Sequence, residues 1–158
     1  MDLTSLKAVL ADLGGQILPS RFEKAQQPDP HSLQLGFRTL KGMIWLELSW
    51  QAEAARLVQI RPPKRTGSGS TLAQQVQHGL RQLALVGLQQ QGFERVVQFQ
   101  FAPRPGEAAV RTLVLELMGR HSNCLMLDEQ KRITAIARQV RQHPVSYTHL
   151  RAHETTLD

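Results

Sequence analysis

Two short stretches of this sequence carry the side chains most suited to molecular recognition. Glu94 and Arg95 open the apolar run "GFERVVQFQF" (92–101). The stretch "ELMGRHSNCLMLDE" (116–129) places four polar residues between two apolar runs: Arg120, His121, Ser122 and Asn123. An arginine presents a planar fork of donors that fits phosphate, and a neighbouring carboxylate can orient it or accept from a base or ribose. Both stretches are therefore candidate edges of a polyanion-binding surface.

Each stretch also has a purely structural interpretation. Glu94 and Arg95 could form an exposed ion pair that contributes under about 1 kcal/mol. In "GRHSN", Gly119 permits a sharp turn at a strand end, and Ser122 and Asn123 can bond either to the local backbone or outward to phosphate and ribose. His121 fits a turn imidazole better than a metal ligand. Spacing alone leaves both interpretations open.

Motifs of common catalytic and cofactor sites do not occur in the sequence. "GSGS" (67–70) is followed by Thr71-Leu72 instead of Lys-Ser/Thr, so no phosphate loop is predicted, and there is no G-x-S-x-G elbow. His121 and Ser122 are adjacent and would face opposite sides of a strand. Cys124 is the single cysteine, which excludes a disulfide and indicates a small buried hydrophobe. We predict a binding module without catalytic residues, metal, cofactor or small-molecule substrate.

Charge favours a polyanionic partner. The 158 residues carry a formal net charge of +6, and Lys64 and Arg65 add a basic loop, "KRTGSGS". No apolar run approaches the roughly 18 residues that span a bilayer. Asp2 and Lys7 stand where a signal peptide needs positive charge and an apolar stretch. Nucleic acid is favoured over membrane, and a cytoplasmic location is expected.

Apolar periodicity predicts an α+β domain with antiparallel, sandwich-like sheets and two flanking helices. An amphipathic stripe indicates a first helix that Gly14-Gly15 interrupts. A second, long helix is predicted from Leu72 to Leu88, with Ser70 or Thr71 as its cap and Gly92 at its end. Alternating apolar residues predict strands in seven places: 33–37, 44–50, 57–60, 97–101, 114–117, 125–127 and 133–140.

The end of the chain does not share this patterning. "VSYTHLRAHET" (145–155) has no period and looks like the translation of a transposon-type sequencing adapter. We therefore expect residues 1–144 to be a partial native domain and 145–158 a non-native tail. His149 and His153, although four residues apart, are accordingly not predicted to bind metal.

Three segments together, "GFERVVQFQF", "RTLVLELMGRHSNCLMLDE" and "KRITAIARQV", resemble the N-terminal domain of the NFACT family. This family comprises the RqcH/NEMF-type ribosome quality-control factors, also described as FbpA-like proteins. The resemblance runs from the opening helix to about Pro144. It implies a fold similar to the N-terminal domain of Fpg-type DNA glycosylases.

The resemblance also implies a function in the rescue of stalled ribosomes. Family members bind the large ribosomal subunit with its peptidyl-tRNA, recruit tRNA, and promote C-terminal tailing of the nascent chain, mostly with alanine in bacteria. An Asp-Arg pair in the family recruits tRNA and corresponds here to Glu94-Arg95, with Glu in place of Asp. An N-terminal acidic residue is also implicated, and Asp2 is its nearest match.

Two other classes stay open beside that one. Relatives described as fibronectin-binding suggest a surface adhesin, against which stand the missing export signal and the basic composition. The Fpg-like fold suggests a nucleic-acid-binding domain without catalysis. Glycosylases of that type use an N-terminal proline followed by glutamate, and this chain has Asp2 and Leu3 instead.

Overall fold

The computed structural model describes residues 1–66 and 70–139, which form two α-helices, nine strands and a short 3₁₀ turn. The tail predicted at 145–158 lies outside the described residues. In chain order the elements are α1 (Leu3–Ile17), β1 (Ser20–Asp29), β2 (Ser32–Thr39), β3 (Gly42–Ser49), β4 (Arg56–Ile60), α2 (Thr71–Leu80), β5 (Ala84–Gln89), β6 (Val96–Ala102), β7 (Arg111–Glu116), the 3₁₀ turn (Gly119–His121), β8 (Asn123–Leu127) and β9 (Ile133–Ile136).

All nine described strands belong to one antiparallel sheet in the order β4-β3-β2-β1-β5-β6-β7-β8-β9. The two halves join through only two β1–β5 residue pairs, Ser20 with Leu85 and Arg21 with Ala84. The stacked rings of Phe37 (β2) and Phe101 (β6) lie 6.3 Å apart. In a flat sheet, strands three positions apart are separated by roughly 14 Å. The sheet is therefore bent at the β1–β5 pairing, and the two halves pack face to face around the core.

The α+β class, the antiparallel pairing and the two flanking helices are thus confirmed. Helix α1 packs on β2, β4 and β5, whereas α2 packs on β1 and β9, so each helix contacts both halves of the sheet. Neither helix in residues 1–66 and 70–139 is long and apolar enough to cross a bilayer.

Both helices begin at side-chain caps, of which the sequence analysis predicted only that of α2, at Ser70 or Thr71. Asp2 accepts from the Ser5 N–H at 2.7 Å, and Ser70 accepts from the Ala73 N–H at 2.9 Å. Helix α1 continues through Gly14-Gly15 to Ile17, so the predicted interruption is wrong. Three buried positions, Leu6, Leu13 and Ile17, hold it on the sheet, and this tertiary packing outweighs the low helix propensity of glycine.

The predicted long second helix is wrong beyond Leu80. Arg81 is its C-cap and Gln82 has a φ of 68°, which turns the chain before β5. Leu85 is buried and Leu88 pairs with Phe99 of β6, so this segment is a strand. Leucines three to five residues apart fit a helix, but the backbone of Ala84–Gln89 pairs with neighbouring strands.

Strand β1 was not predicted, because its apolar spacing is irregular. A register shift between Phe22 and Lys24 brings both Phe22 and Ala25 to the interior, three residues apart instead of two or four. The strand also buries Gln26, whose amide donates to Gln34 at 2.8 Å. Strand recognition by strict alternation fails for such a segment.

Candidate nucleic-acid interface

Strands β6 and β7 meet at the end that holds most of the predicted site residues. Val96 pairs with Glu116, and the Leu117 N–H donates to the Arg95 carbonyl at 2.8 Å. This backbone bond places the turn after β7 beside Glu94-Arg95. The two stretches singled out in the sequence therefore occupy one end of the sheet.

The start of α1 meets the same end through the Arg95 side chain. Arg95 Nη1 donates to the Met1 carbonyl at 3.2 Å, across 94 sequence positions. The Met1 amine in turn donates to the Ala55 carbonyl at 3.1 Å. The pKa of Asp2 is lowered, chiefly by the hydrogen bond from the Ser5 N–H and also by the positive charge of Arg95. The structure thus brings Asp2 and Arg95 to the same end of the sheet.

The turn that leads into Glu94 is built around Gly92, whose φ of +61° suits glycine. The Gln90 side-chain amide donates to the carbonyls of Gln91, Gly92 and Glu94 at 3.1, 3.0 and 2.8 Å. Phe93 sits on this turn with its side chain 90% exposed. Sequence reasoning missed Phe93 as a site residue. The available signal was an aromatic residue next to Glu94-Arg95 that precedes β6 and therefore does not belong to its alternating apolar face.

The "GRHSN" turn divides into an inner and an outer part. Ser122 and Asn123 are buried. Ser122 Oγ accepts from the Met118 N–H at 2.9 Å and donates to the Gly119 carbonyl at 2.6 Å. Asn123 Oδ1 accepts from the backbone N–H groups of Cys124 and Arg138 at 2.9 and 3.0 Å. Of the two interpretations left open by the sequence, the structure favours the local one for Ser122 and Asn123, because both side chains face inward and shape the turn.

Arg120 and His121 form the outer part and are exposed. The Arg138 guanidinium supports them from below, since its Nη1 donates to the carbonyls of Arg120 and Ser122 at 2.8 and 2.6 Å. An exposed guanidinium and an exposed imidazole on a hydrogen-bonded turn are suited to contact with phosphate. We call the following set the Arg95 surface: Asp2, Phe93, Glu94, Arg95, Arg120 and His121.

Glu116 lies directly beneath this surface and is fully buried. Among the residues that the structure describes, neither of its carboxylate oxygens has a hydrogen-bond partner. Burial, reinforced by the negative charge of Glu94, raises the pKa of Glu116 from 4.5 to about 8. Glu116 therefore holds a proton at neutral pH, because an isolated buried carboxylate would be costly. Sequence reasoning treated it only as part of a strand.

Lys64 and Arg65 lie away from the Arg95 surface. They follow the end of β4 at Ile60, whereas Ala55, which contacts Met1, immediately precedes its start. A five-residue strand spans roughly 17 Å, so β4 separates the two places. Both side chains are exposed.

Within residues 1–66 and 70–139, no group of three or more His, Cys, Asp or Glu could hold a metal ion.

A family model matches nearly the whole chain. The model describes NFACT N-terminal and middle domains and covers residues 2–155. The match extends past Pro144 into the segment predicted to be non-native. No curated protein matches the chain.

Three of the solved structures with a similar fold are of streptococcal and staphylococcal proteins. The N-terminal domain of the fibronectin-binding protein PavA from Streptococcus pneumoniae is 22% identical, with a TM-score of 0.79, over 91% of this chain and 56% of that one. The N-terminal part of the fibronectin/fibrinogen-binding protein from Streptococcus suis is 21% identical, with a TM-score of 0.77, over 85% and 52%. The fibrinogen-binding protein from Staphylococcus aureus is 22% identical, with a TM-score of 0.71, over 85% and 49%. The chain thus spans about half the length of these structures, and the likeness shows a shared fold.

Proposed function

The chain belongs to the NFACT family, whose N-terminal and middle domains it matches over residues 2–155, and we propose that it binds tRNA and the large ribosomal subunit. In this proposal it is a module of a cytoplasmic quality-control factor that promotes alanine tailing of stalled nascent chains. The ribosome carries out the peptide chemistry, and this chain supplies recognition. Alanyl-tRNA and a large subunit that retains peptidyl-tRNA are its proposed partners.

The observation that carries the proposal is the convergence of Asp2 and Arg95. Two residues from opposite parts of the chain meet through the bond between Arg95 Nη1 and the Met1 carbonyl. One bond leaves most of the five guanidinium donors for a phosphate. The carboxylates of Asp2 and Glu94 can accept from base amino groups or ribose hydroxyls, which phosphate-binding cations cannot do.

Exposed side chains complete an interface suited to single-stranded RNA. Phe93 presents an aromatic face beside Arg95, and bases that are not paired stack on such rings. Arg120 and His121 border the same end of the β6–β7 pair. Cations and an aromatic ring together suit an RNA loop better than a regular duplex.

Salt dependence tests this proposal. Affinity for tRNA, measured by fluorescence anisotropy, is expected to fall at least tenfold between about 50 and 200 mM salt, because bound cations displace counterions. Arg120→Ala should reduce the slope of log K against log salt by about one. Arg38→Ala is the control, since Arg38 pairs with Glu23 at 3.2 Å on the other half of the sheet. Salt-independent binding, or equal slopes for the two variants, would contradict the proposal.

Removal of the exposed ring should weaken tRNA binding without loss of stability. Phe93→Ala is expected to cost about 1 kcal/mol of binding, at the low end for base–aromatic stacking. Leu40→Ala is a matched control, because Leu40 is also fully exposed and lies on the β2–β3 turn. Titration of both variants with tRNA measures the change in affinity, and thermal unfolding of the same variants measures any change in stability. Equal affinities would exclude a stacking role for Phe93.

Binding to fibronectin or fibrinogen is a second candidate, favoured by the names of the three similar structures. The same preparation can be tested for binding to immobilised fibronectin and fibrinogen. Binding that tRNA does not compete away, together with no affinity for tRNA, would favour this alternative.

A further inference from the structure

A small polar notch lies on β5 and β6, next to the Arg95 surface. Its volume is about 40 Å³, which is room for one or a few water-sized groups. Pockets that enclose a small ligand measure roughly 300–1,000 Å³. The notch can therefore take a group that projects from a ligand, but not the whole ligand. Five residues line it: Gln89, Gln91, Glu94, Val96 and Gln98.

Two adjacent strands form the walls of the notch. Gln89 of β5 and Gln98 of β6 lie directly opposite each other, so their side chains project from the same face of the sheet. Val97 and Phe99 of β6 are buried in the core, so Gln98 and Val96 project from the outer face. The two glutamine amides are therefore neighbours on the outside of the sheet.

The turn before β6 forms the rim of the notch, to which it contributes Gln91 and Glu94. The Gln90 side-chain amide donates to the carbonyls of Gln91, Gly92 and Glu94, as described above. These bonds fix the backbone on both sides of Phe93. Because the rim is already ordered, a ligand loses little free energy in ordering it.

The polar groups of the notch are free to bond to a ligand. Within residues 1–66 and 70–139, the side chains of Gln89, Gln91 and Gln98 make no hydrogen bond. In the same ranges the Glu94 carboxylate has neither a hydrogen bond nor an ion pair. Gln89, Gln91 and Glu94 are exposed, and the amide atoms of the half-buried Gln98 are also open to solvent. A bound molecule can therefore reach all four side chains.

This set of groups suits the edge of a nucleobase. An amide both donates and accepts hydrogen bonds, whereas a carboxylate only accepts them. A phosphate has no donor for the Glu94 carboxylate and would be repelled by it. Adenine, cytosine and guanine each carry an amino group next to a ring nitrogen, and glutamine and glutamate are known partners of such edges. Uracil has no amino group.

A lysine ammonium from a protein partner would also fit the acceptors of the notch. The net charge of +6 and the neighbouring Arg95 and Arg120 oppose a basic partner. Phe93, which is 90% exposed between two residues of the rim, offers a ring on which an unpaired base can stack. Charge and aromatic surface therefore favour single-stranded RNA as the occupant.

We propose that the notch reads the amino group of an unpaired base in RNA bound at the Arg95 surface. The Glu94 carboxylate accepts from the amino group, and the amide of Gln89 or Gln98 bonds to the adjacent ring nitrogen. The inference rests on the proposed binding of RNA at that surface. It adds selectivity for adenine, cytosine and guanine over uracil.

Cytidine and uridine hexanucleotides are the probes, because both bases are pyrimidines and differ chiefly in the amino group. Titrated into the whole chain at low salt and followed by anisotropy, the cytidine hexamer should bind about fivefold more tightly. That ratio is the low end for a well-placed pair of bonds to a base. Binding of the cytidine hexamer should also shift the Gln98 side-chain amide in NMR spectra.

The competing outcomes are distinct. Equal affinities for the two hexamers, or no binding of either, would overturn the notch proposal even if tRNA binds. Failure of tRNA and of both hexamers to bind would also overturn the proposed function. A hexalysine peptide that binds more tightly than either hexamer would assign the notch to a basic protein segment and so refute base reading.

Variants distinguish base reading from general electrostatics. Glu94→Ala should weaken binding of the cytidine hexamer but not of the uridine hexamer, because only the former loses an acceptor. Gln98→Leu should lower the cytidine-to-uridine ratio at least twofold. Gln100→Leu is its control, since Gln100 is half-buried on the same face of β6 but does not line the notch. Glu53→Ala, at an exposed position between β3 and β4, is the control for Glu94. Equal ratios in folded notch variants and controls would refute the proposal.

Discussion

Replacement of Arg95 with alanine is expected to weaken tRNA binding by roughly 1–3 kcal/mol, or about five- to 150-fold in Kd. The variant loses the charge and the fork of donors at the centre of the Arg95 surface. Its folding should be little affected, because the side chain contributes one hydrogen bond, to the Met1 carbonyl, worth about 1 kcal/mol. Anisotropy titration with tRNA and urea unfolding of the same preparation separate the two effects.

Arg111→Ala is a close control for that experiment. Arg111 is also half-buried and donates to a backbone carbonyl, that of Val110 at 2.7 Å, but it lies at the opposite end of β7. Arg95→Lys keeps the charge without the fork and should recover only part of the lost affinity. Glu94→Asp restores the residue usual in the family and should bind equally or better. A folded Arg95→Ala protein with wild-type affinity would show that Glu94-Arg95 has no part in binding.

Glu116→Gln is expected to stabilise the protein by about 3 kcal/mol at pH 7. The folded pKa of Glu116 is about 8, against an ordinary value of 4.5, so the protonated form is favoured in the folded state. Between about pH 5 and 8 the unfolded state ionises first, and the wild-type protein loses about 1.4 kcal/mol of stability for each pH unit. Glutamine cannot ionise, so this loss disappears in the variant.

Urea unfolding at pH 5 and at pH 8 measures this difference. The variant and the wild type should be nearly equal at pH 5 and should diverge as the pH rises. Glu129→Gln is the control, because Glu129 is exposed in the turn between β8 and β9. A Glu116→Gln protein that tracks the wild type at both pH values would show that Glu116 ionises normally in the folded state.

The fold class followed from the sequence because local signals agree with it. Alternating apolar residues mark β2, β3, β6 and β7, and Ser70 caps α2 as predicted. Prediction failed where tertiary pairing overrode local pattern. The apolar spacing of Ala84–Gln89 is compatible with a helix, but the segment forms a strand between β1 and β6. In β1, a register shift breaks the alternation of inward-facing and outward-facing residues, so the strand was not recognised.

The site was predictable only in part. Glu94 and Arg95 came from residue type and resemblance, but no local pattern places Asp2 beside an arginine 93 residues later; that contact arises from the packing of α1 against the sheet. The inward turn of Ser122 and Asn123 depends on Arg138, which belongs to a different part of the chain. The notch likewise depends on β5, which was predicted to be part of a helix.

The two-pair connection between β1 and β5 has a consequence for the order of assembly. Apart from the β1–β5 pairing, each strand pairs with strands next to it in the sequence. The segments β1–β4 and β5–β9 are therefore two meanders, each of which can form by successive closures of short loops. Among the strand pairs of the described residues, only β1–β5 joins strands that are distant along the chain, and it comprises just two residue pairs. Helices α1 and α2 each contact both meanders, so we expect their docking to contribute to cooperative folding of the domain, together with the aromatic packing between the two halves.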